Sequence, residues 1–301
     1  MPVALVTDST ASIPPGVAAE AGITVVPLQV VIGATAYDEG VDGGVTPAML
    51  ADALKAWTPV STSRPNPEAM LEVYERLAAE GATSIVSVHI SAELSGTYES
   101  AQLAARRSPV PVIAVDSRQV GMGTGFAVLA AAEAVRAGAD SEQVARVAAA
   151  RAATTTSLFY VDTLEYLRRG GRMGAAAALL GSALAVKPIL KVEDGKVGPH
   201  ERVRTASRAL TRLEELAVEV AEAGSVGVPG ESGTDGGVDV AVAHLASPDR
   251  AEQLAERLAG RLGHRLDGRE VQVGEIGAVL GAHVGPGMVA VCVAPRLPPE
   301  A

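Results

Sequence analysis

Hydroxyl-bearing residues cluster at three points where an apolar segment of the sequence ends. They are Asp8-Ser9-Thr10, Ser61-Thr62-Ser63 and the stretch Ser91–Thr97, which reads SAELSGT. The sequence places them as polar turns at the carboxyl ends of strands, where ligands of parallel α/β sheets gather. Hydroxyl groups and free backbone N–H groups there can bind a carboxylate or a phosphate without a full positive charge. Each turn alone also has a structural explanation, because Ser, Thr and Asp are common helix caps.

Three functions compete for the stretch Ser91–Thr97: a helix cap, a pocket for an anion and a catalytic serine. Ser95-Gly96-Thr97 favours the pocket, since Gly96 lets the backbone approach a ligand closely. The G-x-S-x-G turn of a nucleophilic serine is absent, because Glu93-Leu94 precedes Ser95. Ser95 could still meet His283 in space. An acyl hydrolase or transferase that uses Ser95 and His283 therefore remains the alternative.

Two further features, both in the second half of the chain, could contact an anion. Arg168-Arg169-Gly170-Gly171-Arg172 gathers three cations in a glycine-rich turn, which is either an anion contact or a solvated loop. His283 lies in GAHVGPG (281–287), a segment rich in glycine. Because few side chains surround the imidazole there, we expect it to reach a ligand from a loop. Near pH 7 it would offer a neutral donor or acceptor. An ordinary surface-loop histidine is the alternative.

Metal and nucleotide sites are not predicted. The five histidines are scattered, without the spacing of two ligands on one helix. The phosphate-binding pattern G-x-x-x-x-G-K-[ST] is absent, which argues against a nucleotide binder or a kinase subunit. The segment GMGTG (121–125) lacks the third glycine of a dinucleotide fingerprint and predicts a tight strand-to-helix turn. No cofactor is expected.

Composition restricts the class of protein further. The chain has 301 residues and a net charge of −10, which argues against a general nucleic-acid binder. The single Cys292 can form neither an internal disulfide nor a zinc cluster, which suggests a reducing compartment. The longest apolar stretch, AAAALLGSALAVKPIL, is too interrupted for a membrane span. We expect a soluble cytoplasmic protein.

The elements that must position these residues divide into two domains. In residues 1–155, short apolar segments such as VALVT and SIVSVHI alternate with helical patterns, which predicts a parallel sheet covered by helices on both faces. ITVVPLQVVI carries Pro27, so this strand lies at an edge or bends. Residues 156–301 predict a mixed α/β domain with a hairpin at Glu193-Asp194-Gly195 and a flexible insertion at 224–237. We expect the ligand to lie between the domains.

Taken together, these segments resemble the DegV family, of which the FakB fatty-acid-binding proteins are the functionally understood members. The match covers nearly the whole chain, and its main departure is the glycine-rich loop at 224–237. The matching segments, in family order, are VALVTDSTASIP, GITVVPLQVVIG with YDEGVD, STSRPNP, SAELSGTYESA, VDSRQVGMGTG, FYVDTLEYLRRGGRMG, LAVKPILKVEDGKV and GAHVGPG.

The resemblance implies a carrier protein without chemistry of its own. It would bury one long-chain fatty acid and present the carboxylate to a separate fatty acid kinase, which forms an acyl phosphate for phospholipid synthesis. A transient contact with a membrane surface is compatible with that role. By position, Thr62 and Ser95 would hydrogen-bond the carboxyl group, Ser63, Gly96 and Thr97 would shape the pocket, and His283 would contact the head group. Arg172, with Arg202 or Arg204, would face the kinase or the incoming phosphate.

Overall fold

Strands and helices alternate along the chain, as the spacing of its apolar segments predicts. The computed structural model describes residues 3–179, 187–223 and 237–296. The strands in these ranges are β1 (Val3–Asp8), β2 (Ile23–Val26), β3 (Gln29–Ile32), β4 (Thr35–Asp38), β5 (Val60–Ser63), β6 (Ser84–His89), β7 (Val112–Asp116), β8 (Thr156–Tyr160), β9 (Lys187–Glu193), β10 (Lys196–Val203), β11 (Val238–His244), β12 (Gln272–Glu275) and β13 (Val289–Pro295). The α-helices are α1 (Pro15–Glu20), α2 (Pro47–Lys55), α3 (Pro67–Ala79), α4 (Thr97–Ala105), α5 (Met122–Arg136), α6 (Ser141–Thr154), α7 (Glu165–Arg169), α8 (Ala206–Ala223), α9 (Pro248–Leu266) and α10 (Ala278–Val284).

The predicted N-terminal domain is confirmed as a parallel sheet with helices on both faces. Its strands run in the order β2-β1-β6-β7, and β1 is buried along its whole length. On one face, Val3 and Leu5 pack with Val128 of α5 and Val144 of α6. On the other face, side chains of α3 pack against Ala4 and Val6, and Tyr74 is among them. Because helices cover both faces of the sheet, the side chains on both sides of each strand are buried, and the strands are therefore continuously apolar.

Pro27 divides the predicted strand at 23–32 between two sheets. Before it, β2 forms the edge of the parallel sheet, as expected. After it, β3 turns away and pairs antiparallel with β4 and β5 in a small separate sheet. Proline lacks the N–H group that a continuous ladder needs, so the chain changes sheets there. The sequence did not predict this small sheet, yet its strand β5 carries Thr62.

The C-terminal domain is confirmed as a mixed α/β unit. Its sheet has the order β10-β9-β8-β13-β11-β12, in which β11 and β12 are parallel and the other neighbours antiparallel. Helices α8 and α9 cover one face. Phe159 and Leu190 contribute to a core on the other face, with Leu28 and Leu50 from the first half of the chain. The mixed sheet begins at Thr156, although the exact boundary near residue 155 stays a prediction.

Two predicted segments lie largely outside the described residues. Residues 224–236 of the predicted insertion are not described, whereas Gly237 is buried and its carbonyl accepts a hydrogen bond from the Arg296 N–H. The apolar segment predicted as a helix begins with a 3-10 helix at Gly174–Leu179, and its continuation at 180–186 lies outside the described residues.

Buried polar contacts join the two domains. Arg151 of α6 forms an ion pair with Asp239 of β11, and their side chains are 4% and 13% exposed. Arg269 and Arg296 also contact Asp239. On another side of the interface, the buried Glu39 accepts a hydrogen bond of 2.8 Å from the Val279 N–H of α10. These contacts fix the C-terminal sheet and α10 against the first domain.

We expect Asp239→Ala to lower the free energy of unfolding by about 3–5 kcal/mol, because it leaves the buried Arg151 guanidinium unpaired. Chemical denaturation followed by circular dichroism measures this loss. Asp267→Asn is the matched control, since this exposed carboxylate also pairs with Arg296 and asparagine tolerates its left-handed φ of 52°. Loss of this charge should cost less than about 1 kcal/mol. Equal losses in the two variants would contradict the importance of the Arg151 pair.

Candidate functional site

A cavity of about 450 Å³ lies between the two domains. Such a volume lies in the range of small-molecule sites. Most of its wall is apolar and comes from Leu28, Ile90, Leu94, Val120, Met122, Leu158, Phe159, Leu167, Val197, Ala243, Ile276, Val279, Leu280, Val284, Met288 and Ala290. The cavity therefore suits a ligand with a long apolar part.

The mixed sheet supplies one wall through alternate side chains. Phe159 of β8 pairs with Ala290 of β13, and Ser157 pairs with Cys292 one pleat further along. All four line the cavity, because every second side chain of a strand points to the same face. Ser157 donates a hydrogen bond of 2.9 Å to the Gln119 side chain, so its hydroxyl is satisfied by the protein.

Polar groups gather at one end of the cavity, where the structure brings together most of the predicted site residues. They are Thr62, Ser63, Arg64, Ser95, Gly96, Arg172 and His283. Thr62 Oγ1 lies 2.9 Å from His283 Nε2, across 221 residues of sequence. Ser61-Thr62-Ser63 is not the polar turn that the sequence predicts. It belongs to β5, which pairs with β3 and directs Thr62 at the cavity.

Ser95 lies at the same end, just before α4. Its Oγ atom is 2.8 Å from Thr97 Oγ1 and also accepts the Thr97 N–H at 3.4 Å. Thr97 is fully buried and lies behind Ser95, so it supports this residue. Gly96 has an ordinary helical φ of −74°, so conformational freedom does not explain it. A Cβ at this position would lie 2.0 Å from Arg64 Nη1, so the missing side chain makes room for Arg64.

His283 lies in the last turn of α10, which corrects its expected place in a loop. Burial, aided by the positive charge of Arg172, lowers the pKa of the imidazole from 6.5 to about 4. His283 is therefore neutral at pH 7. Its Nδ1 atom is buried without a hydrogen-bond partner among the described residues. A Cβ at Gly170 would lie 2.1 Å from Nδ1, so only glycine allows this close packing of the ring.

The arginines of the basic turn have different roles. Arg168 and Arg169 both pair with Glu165, and the Arg169 guanidinium lies 4.8 Å from the centre of the Trp57 ring. Arg172 lines the cavity. It donates hydrogen bonds to the carbonyl groups of Leu94, at 3.0 Å, and Gly170, at 2.5 Å.

Arg202 and Arg204 do not line the cavity. Both are exposed, Arg202 on β10 and Arg204 just after it. Val197 of the same strand does line the cavity, and five residues of strand separate it from Arg202 by about 17 Å. The structure therefore does not bring either arginine to the polar end of the cavity.

The pairing that a serine hydrolase requires is not formed. Ser95 bonds to Thr97, and His283 bonds to Thr62. A serine–histidine–aspartate chain does occur elsewhere: Ser87 Oγ lies 2.7 Å from His89 Nε2, and His89 Nδ1 lies 2.8 Å from Asp8 Oδ2. All three residues are fully buried, so no substrate reaches this serine. The geometry gives the hydrolase alternative no support.

The Asp8-Ser9-Thr10 turn has the capping role that its composition allows. Asp8 accepts a hydrogen bond from the Thr10 N–H at the start of a short 3-10 helix, Ser9–Ala11. It also accepts the Thr10 hydroxyl and the Ile90 N–H. Thr10 lines the cavity, but its hydroxyl donates to Asp8. Gly121 likewise has the predicted turn role, since its φ of +60° starts α5 in a conformation that favours glycine.

Two important residues were not singled out from the sequence. Arg64 donates to the Gly96 carbonyl at 3.2 Å and pairs with Glu99 at 2.7 Å, so it lies across the polar end of the cavity. Glu39 caps the start of α10, the helix that carries His283. Burial raises the pKa of Glu39. Both stand in segments that match the family, Arg64 in STSRPNP directly after Ser61-Thr62-Ser63 and Glu39 in YDEGVD.

In residues 3–179, 187–223 and 237–296, no group of three His, Cys, Asp or Glu side chains is placed to hold a metal ion. None of the helices in these ranges is long and apolar enough to cross a membrane.

The fold and the site define a two-domain α/β protein with an apolar cavity at the domain junction and, at one end, hydroxyl groups, a neutral imidazole and two arginines. The chain belongs to the DegV family, a family of uncharacterised proteins whose sequence model matches residues 2–296. A DegV domain-containing protein of Streptomyces coelicolor is 52% identical over 294 residues, which cover 98% of this chain and 99% of that protein. The protein DegV of Bacillus subtilis is 33% identical over 97% of this chain and 99% of its own length.

Solved structures share the fold over almost the whole chain. A DegV family protein from Thermus thermophilus, described by its fatty acid binding, has a TM-score of 0.86 and 32% identity, covering 98% of this chain and 100% of its own. DegV from Bacillus subtilis, described as a fatty acid binding protein, has a TM-score of 0.85 and 30% identity with the same coverage.

We expect His283 to titrate near pH 4 in the folded protein, below the ordinary value of 6.5. The unfolded chain then binds this proton more readily between pH 6.5 and 4. The contribution of the neutral imidazole to stability is complete above pH 6.5 and is lost as the pH falls toward 4. NMR titration of the imidazole measures the midpoint directly.

The non-titrating variant His283→Asn is the control for this pH dependence. Between pH 6.5 and 4, wild-type protein should lose about 1–3 kcal/mol more unfolding free energy than the variant. A midpoint near 6.5, with parallel stability curves for the two proteins, would contradict a buried neutral His283.

Proposed function

We propose that this protein binds one long-chain fatty acid in the cavity between its domains and presents the carboxyl group to a partner fatty acid kinase. The kinase would form an acyl phosphate in the cytoplasm for phospholipid synthesis. The observation that carries the proposal is an apolar cavity of about 450 Å³ that ends on the hydroxyl groups of Thr62 and Ser95 and the imidazole of His283. The two family members described as fatty-acid-binding proteins support the ligand class.

Burial of the tail alone accounts for binding. A fatty acid tail has about sixteen CH₂ or CH₃ groups, and each buried CH₂ contributes about 0.8 kcal/mol. The gross gain of about 13 kcal/mol exceeds the cost of ordering the ligand by enough for stable binding. The polar end of the site therefore has to fix the position of the head group, and affinity does not require an ion pair.

Thr62 and Ser95 would donate hydrogen bonds to the ligand carboxylate. Arg172 donates to the Gly170 carbonyl, so its positive charge lies on the side of His283 where Nδ1 packs against Gly170. The positive charge of Arg172 favours a lone pair on Nδ1 over an N–H group. We therefore infer that Nε2 carries the hydrogen and donates to Thr62 Oγ1. The Thr62 hydroxyl hydrogen is then free for the ligand, and His283 fixes its direction.

The bonding of the two arginines at this end also suits transfer to a kinase, because Arg64 pairs with Glu99 and Arg172 donates to two carbonyl groups. A strong ion pair would stabilise the carboxylate in its ground state and make its phosphorylation harder. Ser63 and Arg64 are exposed beside the polar end, which gives a partner access to the head group. Arg172 would contact the incoming phosphate. Arg202 and Arg204 are exposed and form no ion pair with another described residue, so they would contact the kinase at a distance from the head group.

Denaturing extraction of the purified protein followed by mass spectrometry tests the ligand class. We expect close to one long-chain fatty acid per chain. Protein without a lipid, and with no affinity for added fatty acid, would overturn the proposal. Formation of an acyl phosphate by a fatty acid kinase and ATP, dependent on this protein, tests the second step separately.

We expect the double variant Thr62→Ala, Ser95→Ala to bind fatty acid about 10- to 100-fold more weakly, because two hydrogen bonds to the head group contribute about 1–3 kcal/mol together. Titration of delipidated protein with fatty acid measures the affinity. Ser157→Ala is the matched control, since its hydroxyl lines the cavity but is bonded to Gln119. Unchanged affinity in the double variant would contradict the assigned head-group site.

A further inference from the structure

A thin wall of side chains separates the apolar part of the cavity from a second cleft. Met122, the first residue of α5, lines the cavity. Phe126, one helical turn further, lines a cleft of about 580 Å³. Both side chains pack in one buried cluster with Ala241, Cys292 and Ala294. Residues four positions apart lie on the same face of a helix, so Met122 and Phe126 form a row from the cavity to the cleft.

Helix α10 leads from the head-group end of the cavity to this wall. His283, at the polar end, and Leu280 are one turn apart on α10 and both line the cavity. A Cβ at Gly121 would lie 3.8 Å from the Leu280 side chain, so α10 meets the start of α5 there. The cavity thus runs from the hydroxyl groups past α10 toward Met122. A bound tail that extends in this direction ends against the Met122 side chain.

Small residues around Met122 keep the wall thin. A Cβ at Gly125 would lie 3.1 Å from the Met122 sulfur, and one at Gly123 would lie 2.7 Å from Ser157 Oγ, which faces the cavity. On the side of the mixed sheet, Met122 packs with Ala241, Cys292 and Ala294, which are all small. Methionine is unbranched and flexible, so it moves aside more readily than any other large residue of this wall.

The cleft behind the wall has an apolar side that suits the end of a hydrocarbon chain. Leu129, Ala130 and Val17 line it, and Phe126 forms its border with the cavity. Its charged side contains the Arg151–Asp239 pair described above. The tail of a ligand that passes Met122 would meet the apolar side first.

We propose that Met122 limits the length of the bound acyl chain, and that the cleft behind Phe126 receives the end of a longer chain once Met122 is displaced. This inference rests on the proposed function, since it concerns the tail of the same ligand. It assigns length selection to one side chain of α5, which is not among the residues that hold the head group.

Competition among fatty acids tests this role. Delipidated protein is incubated with an equimolar mixture of saturated fatty acids of increasing length. The bound acids are then extracted, and mass spectrometry gives the amount of each chain length. Met122→Ala removes three heavy atoms from the wall, so we expect its preferred length to increase by about two to three carbons. Met122→Phe fills the wall with a larger, stiffer side chain, and its preferred length should decrease.

Met70→Ala is the matched control. Met70 is fully buried in the core of the first domain and lines neither the cavity nor the cleft. The same atoms are removed, and the preferred length should stay that of the wild type. Met122→Phe keeps the wall filled and therefore tests the limit even if the alanine variant does not fold.

The outcomes separate the two proposals. Unchanged lengths in both Met122 variants, or an equal shift in Met70→Ala, would overturn the role of Met122 while fatty-acid binding stands. Absence of any bound acid in the wild type would overturn the proposed function and this inference with it.

Discussion

An open cavity at a domain junction removes apolar contact from the very surface that must hold the domains together. The interface of this protein compensates with hydrogen bonds and ion pairs around the cavity. Glu39 binds the N-terminus of α10, Ser91 donates to the Gly195 carbonyl at 2.7 Å, and Arg151 pairs with Asp239. Because these contacts are directional, they fix the relative position and orientation of the domains without filling the space between them. The shape of the cavity depends on them.

The same contacts place the polar end of the cavity. Thr62 comes from a small antiparallel sheet of the first domain and His283 from a helix of the second, so their 2.9 Å contact exists only in the assembled protein. Arg172 of the second domain reaches the Leu94 carbonyl, one residue before Ser95. The site is therefore a product of domain packing. The neutral state of His283 follows as well, because the packing buries the imidazole and lowers its pKa.

The sequence predicts the architecture well because the apolar segments are short, regularly spaced and separated by turn residues. Most site residues were singled out as polar, basic or glycine-rich turns, and the resemblance to the family then assigned their roles. Local reasoning placed Thr62 in a turn and His283 in a loop, whereas they lie in a strand and a helix. Strand β5 exists only through pairing with β3, and α10 is capped by Glu39 from the other domain. Neither partner lies nearby in the sequence. The explanation of Gly96 was likewise local, whereas the space it leaves is taken by Arg64, 32 positions away.

Trp57 gives this protein an intrinsic optical signal at a useful place. It is the chain's single tryptophan, and 71% of its surface is exposed. Arg169 stacks on its ring, and the turn that follows Arg169 leads to Arg172 at the polar end of the cavity. The fluorescence of an indole depends on its neighbours and on its contact with water. Emission from this one ring therefore reports the position of the segment beside the head-group site, without a label and without background from a second tryptophan.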